Sequence, residues 1–379
     1  MRRRWDVFCK VVDHYGDAGV CWRLARLLAC EHACDVRLWI DGLDALSRID
    51  SRVRVDALLQ RVAGIDVRRF RPLDSRDEIP DAVVEAFGCG LPASYLDAME
   101  AEPRAPVWIN LEYLSAEPWV DGVHGLPSRD PRRALTRHFF VPGFSAASGG
   151  LLRERDLFAA RDAFVADARA RLAFLSALGA RELADDARIV SIYVYDAAPI
   201  LALFEAWASA AAPTHALVTE GVIADALALW SEGALRHAGD AHRRGALTVT
   251  IVPFVAQDDY DRLLWSASFN IVRGEDSFVR AQWAARPLAW QPYRQAGDAH
   301  AIKLDAFLAR YVASLPDALR AATIELAQAC DGRADARLAW RALEPALPAL
   351  EAHARAWALS LSELPELAST LVRFVASKV

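Results

Sequence analysis

Val11-Val12-Asp13-His14-Tyr15-Gly16-Asp17-Ala18-Gly19 places two carboxylates beside glycines at the point where an apolar run gives way to helical spacing. Upstream, residues 5–12 are mostly apolar and of strand length; downstream, Val20, Leu24, Leu27 and Leu28 recur at the 3.6-residue period of a helix. The stretch therefore reads as a strand, a turn and a helix. Ligands of open α/β sheets collect at the carboxyl ends of strands, so Asp13 and Asp17 are expected beside a crevice. A plainer reading has one aspartate capping the helix and the other closing the turn.

Working outward, residues 35–40, 82–87, 106–111 and 138–142 are further strand-like runs separated by helix- or loop-length segments, the alternation of a parallel α/β sheet. A second series follows at residues 189–195, 216–219, 247–252, 269–272 and 287–291, with Ala-rich stretches between. Between the two series, Arg, Asp, Ala and Leu alternate over residues 152–186 with no glycine before Gly179, which suggests a charged amphipathic helix bridging two domains. Residues 341–378 are helical in composition, and Pro345, Pro348 and Pro365 are expected to divide them. The expected plan is thus a first domain over residues 1–153, a linker helix over 154–186, a second domain over 187–355, and a C-terminal helix over 356–379 that packs back on the first domain. Two domains also suit the length, because 379 residues exceed the roughly 250 at which a single core stops growing.

Composition excludes several classes of function. A formal net charge of -6, with arginines scattered among acids, disfavours a nucleic-acid binder. No run approaches the ~20 apolar residues of a membrane span, and the apolar stretch after Met-Arg-Arg-Arg is too short for a signal sequence, so a soluble cytoplasmic protein is expected. The six cysteines, at positions 9, 21, 30, 34, 89 and 330, form no Cys-x-x-Cys pair. Even Cys30 and Cys34, spaced to share a helix face, read as packing rather than a metal site, and no metal or cofactor is expected. Gly-x-Gly-x-x-Gly, Walker A, Gly-x-Ser-x-Gly and His-Glu-x-x-His motifs are all missing, which disfavours a dinucleotide hydride carrier, a P-loop enzyme, a serine hydrolase and a zinc protease.

In the second half, Arg273-Gly274-Glu275-Asp276-Ser277 follows a buried-looking strand and precedes a helix. Gly274 permits a tight path, Asp276 or Ser277 at the helix start leaves N–H groups and a positive dipole end for an anion, and Arg273 adds a two-pronged donor suited to a diphosphate. Glu275 has three open roles: pairing with Arg273, binding a sugar hydroxyl, or acid/base work. Phe254, emerging at a strand end, and Gln257 are candidates to stack on and read a base, with core packing the alternative for the phenylalanine. Tyr193 and Tyr195 share one strand face, Tyr193 as core and Tyr195 as ligand-facing. The segments with Asn110, Glu112, Tyr113 and Ser115, and with His124 and Pro127, are dense in polar and aromatic residues and serve equally well as recognition loops or as turns.

Several long motifs in order resemble the elongation factor P arginine rhamnosyltransferases, the EarP family. They are Asp13 to Arg26, Phe87-Gly88-Cys89, Trp108 to Glu117, His124 to Ser128, Gly149 to Glu154, Arg273 to Trp283 and Asp298 to Asp305. The resemblance implies a GT-B glycosyltransferase, two Rossmann-like domains facing a central cleft. Its implied activity is inverting transfer of L-rhamnose from dTDP-β-L-rhamnose to an arginine of elongation factor P, without a metal. It implies Asp13, Asp17 and Glu275 as the essential carboxylates. It also implies Tyr195, Phe254, Gln257, Arg273, Asp276 and Ser277, with Gly16, as the donor site. The first-domain loops named above, Asn110, Glu112, Tyr113, Ser115, His124 and Pro127, would then meet the acceptor protein. This chain departs from the family's pattern at His14-Tyr15, where Asn-Phe is common, and at Asp196-Ala197, where Glu-Asn is usual. The chemistry agrees: a protonated guanidinium is a poor nucleophile, and a carboxylate can hold it and take its proton. Asp17 is expected as that base with Asp13 orienting, the exchanged roles remaining compatible with the sequence. A GT-B enzyme of other donor or acceptor, and a non-catalytic module binding elongation factor P, are the competing readings.

Overall fold

The opening apolar run ends sooner than its hydropathy suggests. β1 spans Arg4–Cys9, with every side chain after Arg4 buried, and the chain then leaves the sheet toward the turn. The computed structural model describes residues 2–13, 15–71, 78–181, 183–184, 186–294 and 296–378; His14 lies outside them. After β1 the first sheet adds β2 (Asp35–Ile40), β3 (Leu59–Val62), β4 (Ile65–Arg69), β5 (Ala82–Ala86), β6 (Val107–Leu111), β7 (Pro127–Arg129) and β8 (Thr136–Phe140), ordered β3-β4-β2-β1-β5-β6-β8-β7. Its parallel strands, numbered among themselves, run 3-2-1-4-5-6, the doubly wound order, and antiparallel β3 and β7 close the edges. The helix Gly16–Cys30 covers this sheet with Val20, Leu24, Leu27 and Leu28, all buried. On the opposite face of the sheet, among Phe8, Trp39 and Tyr95, fully buried Asp6 accepts from Arg37 Nε (2.5 Å) and Nη2 (2.8 Å), Trp39 Nε1 (3.0 Å) and Tyr95 Oη (2.5 Å), so its oxygens remain satisfied away from water.

A second sheet contains β9 (Arg188–Ile192), β10 (Thr214–Thr219), β11 (Ala241–Arg244), β12 (Leu247–Val252), β13 (Phe269–Arg273) and β14 (Leu288–Gln291), ordered β11-β12-β10-β9-β13-β14. Its parallel strands run 3-2-1-4-5, and β11 pairs antiparallel to β12 at the edge. Strand order reverses between β1 and β5 in one sheet and between β9 and β13 in the other. Those are the switch points at which such sheets take ligands.

The chain divides into two units: residues up to Arg155 with those from Ser362 onward, and Asp156–Leu361. Residues 154–186, expected as one linker helix, instead contain two helices, Leu157–Ala166 and Ala168–Ala177, and from Asp156 they cluster with the second unit. Asp167 makes the break, since its carboxylate accepts from Ala170 N at 2.9 Å and caps the second helix. Near the C-terminus only Pro365 separates long helices; Pro345 sits in a short 3-10 turn and Pro348 in the first turn of Leu347–Ser362, where the missing N–H costs nothing. The last helix, Leu367–Lys378, places Leu367, Ala368, Leu371 and Val375 in the first unit's core. Gly150 permits that return: at φ +79, a Cβ there would lie 1.8 Å from the Pro365 carbonyl oxygen. No helix among the described residues is long and apolar enough to cross a membrane.

One feature of β10 makes the second unit sensitive to acid. His215 is buried, Nε2 lies 2.8 Å from Thr250 Oγ1, and burial pushes its pKa down to about 4. The unfolded chain, whose histidines titrate near ~6.5, takes up the proton first, so stability is complete above that pH and declines as pH falls toward the folded value. The loss should reach about 3 kcal/mol, and His215→Gln should flatten it in urea titrations across that window. An unchanged slope would remove His215 as the cause.

Candidate active site

At the first switch point the turn after β1 closes on itself, with Gly16 N donating to the Asp13 carbonyl at 2.7 Å. Asp17 does not cap its helix. Tyr15 holds the cap position but its side chain makes no capping bond to the helix, and Asp17 Oδ2 reaches back to accept from Val12 N at 2.8 Å and Asp13 N at 2.9 Å. Asp17 is 2% exposed, and this burial pushes its carboxyl pKa up; Asp13 adds repulsion, whereas the two backbone N–H groups and the Tyr113 hydroxyl pull the other way. The net rise leaves a buried carboxylate with enhanced basicity, which suits a general base. Asp13 is half-buried. Gly16 leaves room for Asp13: a Cβ there would stand 2.6 Å from Asp13 Oδ2. Beside the turn, Val11, Val12, Tyr15, Asp41, Asp44 and Arg48 line a cleft of about 730 Å³.

The other first-unit candidates divide by burial. Asn110 and Ser115 are buried, Asn110 Nδ2 donating to Glu112 Oε1 at 2.5 Å and Ser115 Oγ to Glu117 Oε2 at 2.9 Å, so these bonds shape their own loop. His124 Nδ1 accepts from Val141 N at 3.1 Å, its ring stands edge-on to Phe140, and burial lowers its pKa, which keeps it neutral. Pro127 is exposed at the start of β7, while Glu112 and Tyr113 are half-buried. Of these, Tyr113 is the residue that reaches Asp17.

At the second switch point β13 ends on Arg273, which is 4% exposed. Its guanidinium carbon lies 4.2 Å from the Tyr193 ring centre and 4.5 Å from that of Tyr195, and Nη2 donates to Tyr193 Oη at 2.7 Å. Nη1 is buried with no hydrogen-bond partner. Such an orphan donor on a cation is prepared for an anion. Tyr193, expected as core, belongs to this site: β9 stops at Ile192, so both tyrosines lie beyond the strand and clamp the arginine. Their spacing of two residues, which puts them on one face, is the sequence signal that identifies the pair. Phe254 stands edge-on to Tyr193 with ring centres 6.2 Å apart.

Gly274, at φ +63, turns the chain into the helix Asp276–Trp283, with Glu275 at the cap position. Gln257 Nε2 donates to Asp276 Oδ2 at 3.1 Å. One helical turn deeper, buried Arg280 grips Asp261 through Nε (2.7 Å) and Nη2 (2.6 Å), which fixes the helix Gln257–Ser266 against Asp276–Trp283. Tyr195, Phe254, Gln257, Arg273, Glu275, Asp276 and Ser277 thus gather on neighbouring loops and helix starts of one unit. Among the described residues, no group of three or more His, Cys, Asp or Glu is placed to hold a metal ion.

Comparison with known proteins assigns a lineage to this arrangement. Residues 5–376 match the family described as Elongation-Factor P (EF-P) rhamnosyltransferase EarP. A protein-arginine rhamnosyltransferase of Pseudomonas putida is 48% identical over 99% of both chains. A solved structure described as the structural basis for EarP-mediated arginine glycosylation of translation elongation factor EF-P aligns over 100% of both chains, at 37% identity and a TM-score of 0.71. MurG of Acinetobacter baumannii aligns over 100% of both chains at a TM-score of 0.51 and 13% identity, a likeness of fold alone. The two doubly wound sheets are those of a GT-B glycosyltransferase, and the chain belongs to the EarP family of elongation factor P rhamnosyltransferases.

Proposed function

We propose that this protein transfers L-rhamnose from dTDP-β-L-rhamnose to an arginine side chain of elongation factor P, with inversion and without a metal. One observation carries the reading: the two switch points hold complementary chemistry, a buried carboxylate of raised pKa in one and a buried guanidinium with an unpartnered Nη1 in the other. The acceptor guanidinium binds at Asp17, with Asp13 orienting it. Its nitrogen forms a bond to the anomeric carbon as the bond from that carbon to the diphosphate oxygen breaks. The bonding electrons leave with dTDP, and the proton released by the nitrogen passes to Asp17. Attack opposite the leaving group converts the β-linked donor into an α-linked product.

On the donor side, Arg273 and the N–H groups opening the helix Asp276–Trp283 receive the diphosphate charge, Phe254 stacks on the thymine and Gln257 reads its edge. Glu275 is assigned to the sugar. The 730 Å³ cleft, with Asp41 and Asp44 on its wall, suits a loop that carries a basic residue. A translation factor as acceptor places the reaction in the cytoplasm. Intact mass spectrometry of elongation factor P, incubated with this protein and dTDP-β-L-rhamnose, should show a gain of one deoxyhexose on an arginine. No gain with a folded acceptor would reject the reading, and a gain only with a different nucleotide sugar would reject the donor.

A further inference from the structure

Phe87 has a left-handed backbone, φ +58, and is not a glycine. A bulky side chain disfavours that region, so it persists only where surrounding structure imposes it. Here the constraint comes from the neighbouring strand: Phe87 directly follows β5, and its N–H donates to the Leu111 carbonyl, the last residue of β6, at 2.7 Å. The result is a stack. The Phe87 ring lies on the ring of Tyr113, two residues beyond β6, with centres 4.3 Å apart and planes 12° from parallel. The Tyr113 hydroxyl in turn hydrogen-bonds the Asp17 carboxylate. Adjacent strands β1, β5 and β6 thus deliver Asp17, Phe87 and Tyr113 at their carboxyl ends.

We infer that Phe87 and Tyr113 are positioning residues for Asp17: the constrained phenylalanine holds the tyrosine ring, and the tyrosine hydroxyl orients the carboxylate. This rests on the reading of Asp17 as the proposed base. Asp17 faces Asp13 from its own turn, the Cys9 thiol from β1 and Tyr113 from the segment after β6. Tyr113 is the side-chain donor in that set, because the Cys9 thiol is taken up by a hydrogen bond with Cys21 and the Asp13 carboxylate repels. A phenol donating to a carboxylate favours its ionised form and limits its rotation. Tyr113 therefore restrains a pKa that burial and Asp13 both raise.

Tyr113→Phe keeps the stack and removes only the hydroxyl. It should lower kcat about tenfold, leave donor KM unchanged and move the acid limb of the pH–rate profile up by roughly one unit. Phe87→Leu should shift the limb the same way by less, and Phe87→Tyr, which restores a flat ring, should return it. A merely structural role would lower Tm and leave the limb in place, so superimposable acid limbs for the parent and Tyr113→Phe would overturn the inference. Failure of the underlying reading looks different, because then the parent does not transfer the sugar or Asp17→Asn still does.

Discussion

Asp17→Asn should lower kcat for arginine modification by about a thousandfold while dTDP-rhamnose binds as before. The substitution is nearly isosteric, and the amide oxygen can still accept from Val12 and Asp13 N–H, so the turn keeps its shape. What is lost is the negative charge that holds the guanidinium and the site that takes its proton, a contribution of 10²–10⁴-fold in general-base catalysis. Stability should move the other way. Asp17 has a folded pKa above its unfolded value, so at neutral pH folding works against its ionised form, and the neutral amide relieves that cost. The expected pair of results is therefore a loss of turnover with Tm equal to or above the parent's. In the parent, the rate should fall as pH drops through the raised pKa of Asp17, and the variant's residual rate should lack that limb. Turnover within tenfold of the parent would transfer the base role to Asp13.

Local chemistry in this chain was legible where it was carried by short-range pattern. The run into Asp13 and Asp17 and the Arg273–Ser277 turn are legible because an apolar run that ends in Gly, Asp and Ser marks a strand end followed by a turn. The order of the strands was not, because it depends on crossovers that leave no mark in composition. The β3–β4 hairpin is masked for a different reason: Arg61, Asp66, Arg68 and Arg69 dilute its apolar alternation. Its turn places Ala63 and Gly64 both at positive φ, +52 and +81, where only the glycine advertises the bend. A strand running to Tyr195 would place Tyr193 in the core, and a strand three residues shorter turns that tyrosine onto Arg273. Which aspartate is buried could not be read at all, since it follows from the turn folding back to give Asp17 two backbone donors. Residues alone led to an anionic, base-containing ligand; the rhamnose donor came from the family resemblance.

Arg273→Lys should lower donor kcat/KM by about a hundredfold although it preserves the charge. Arg273 acts through its shape. Its plane lies against Tyr193 and Tyr195, Nη2 is committed to the Tyr193 hydroxyl, and Nη1 is left for the diphosphate. An ammonium cannot stack in this way or bond in two fixed directions, so lysine gives up either the tyrosine or the phosphate. Loss of a charge-assisted hydrogen bond accounts for about 1.5–3 kcal/mol, and displacement of the clamp accounts for the rest. Because negative charge on the diphosphate grows as the sugar departs, kcat should fall more than KM rises. The unliganded protein gives an independent check. An orphaned buried donor costs about 1–3 kcal/mol, so Arg273→Met should raise Tm in the absence of nucleotide while abolishing turnover. Added dTDP should stabilise the parent by about 2.7 kcal/mol at a hundred times its Kd and leave Arg273→Met almost unshifted. A methionine variant that is less stable than the parent, yet gains as much from dTDP, would show that Arg273 braces the two tyrosines and that the diphosphate binds elsewhere.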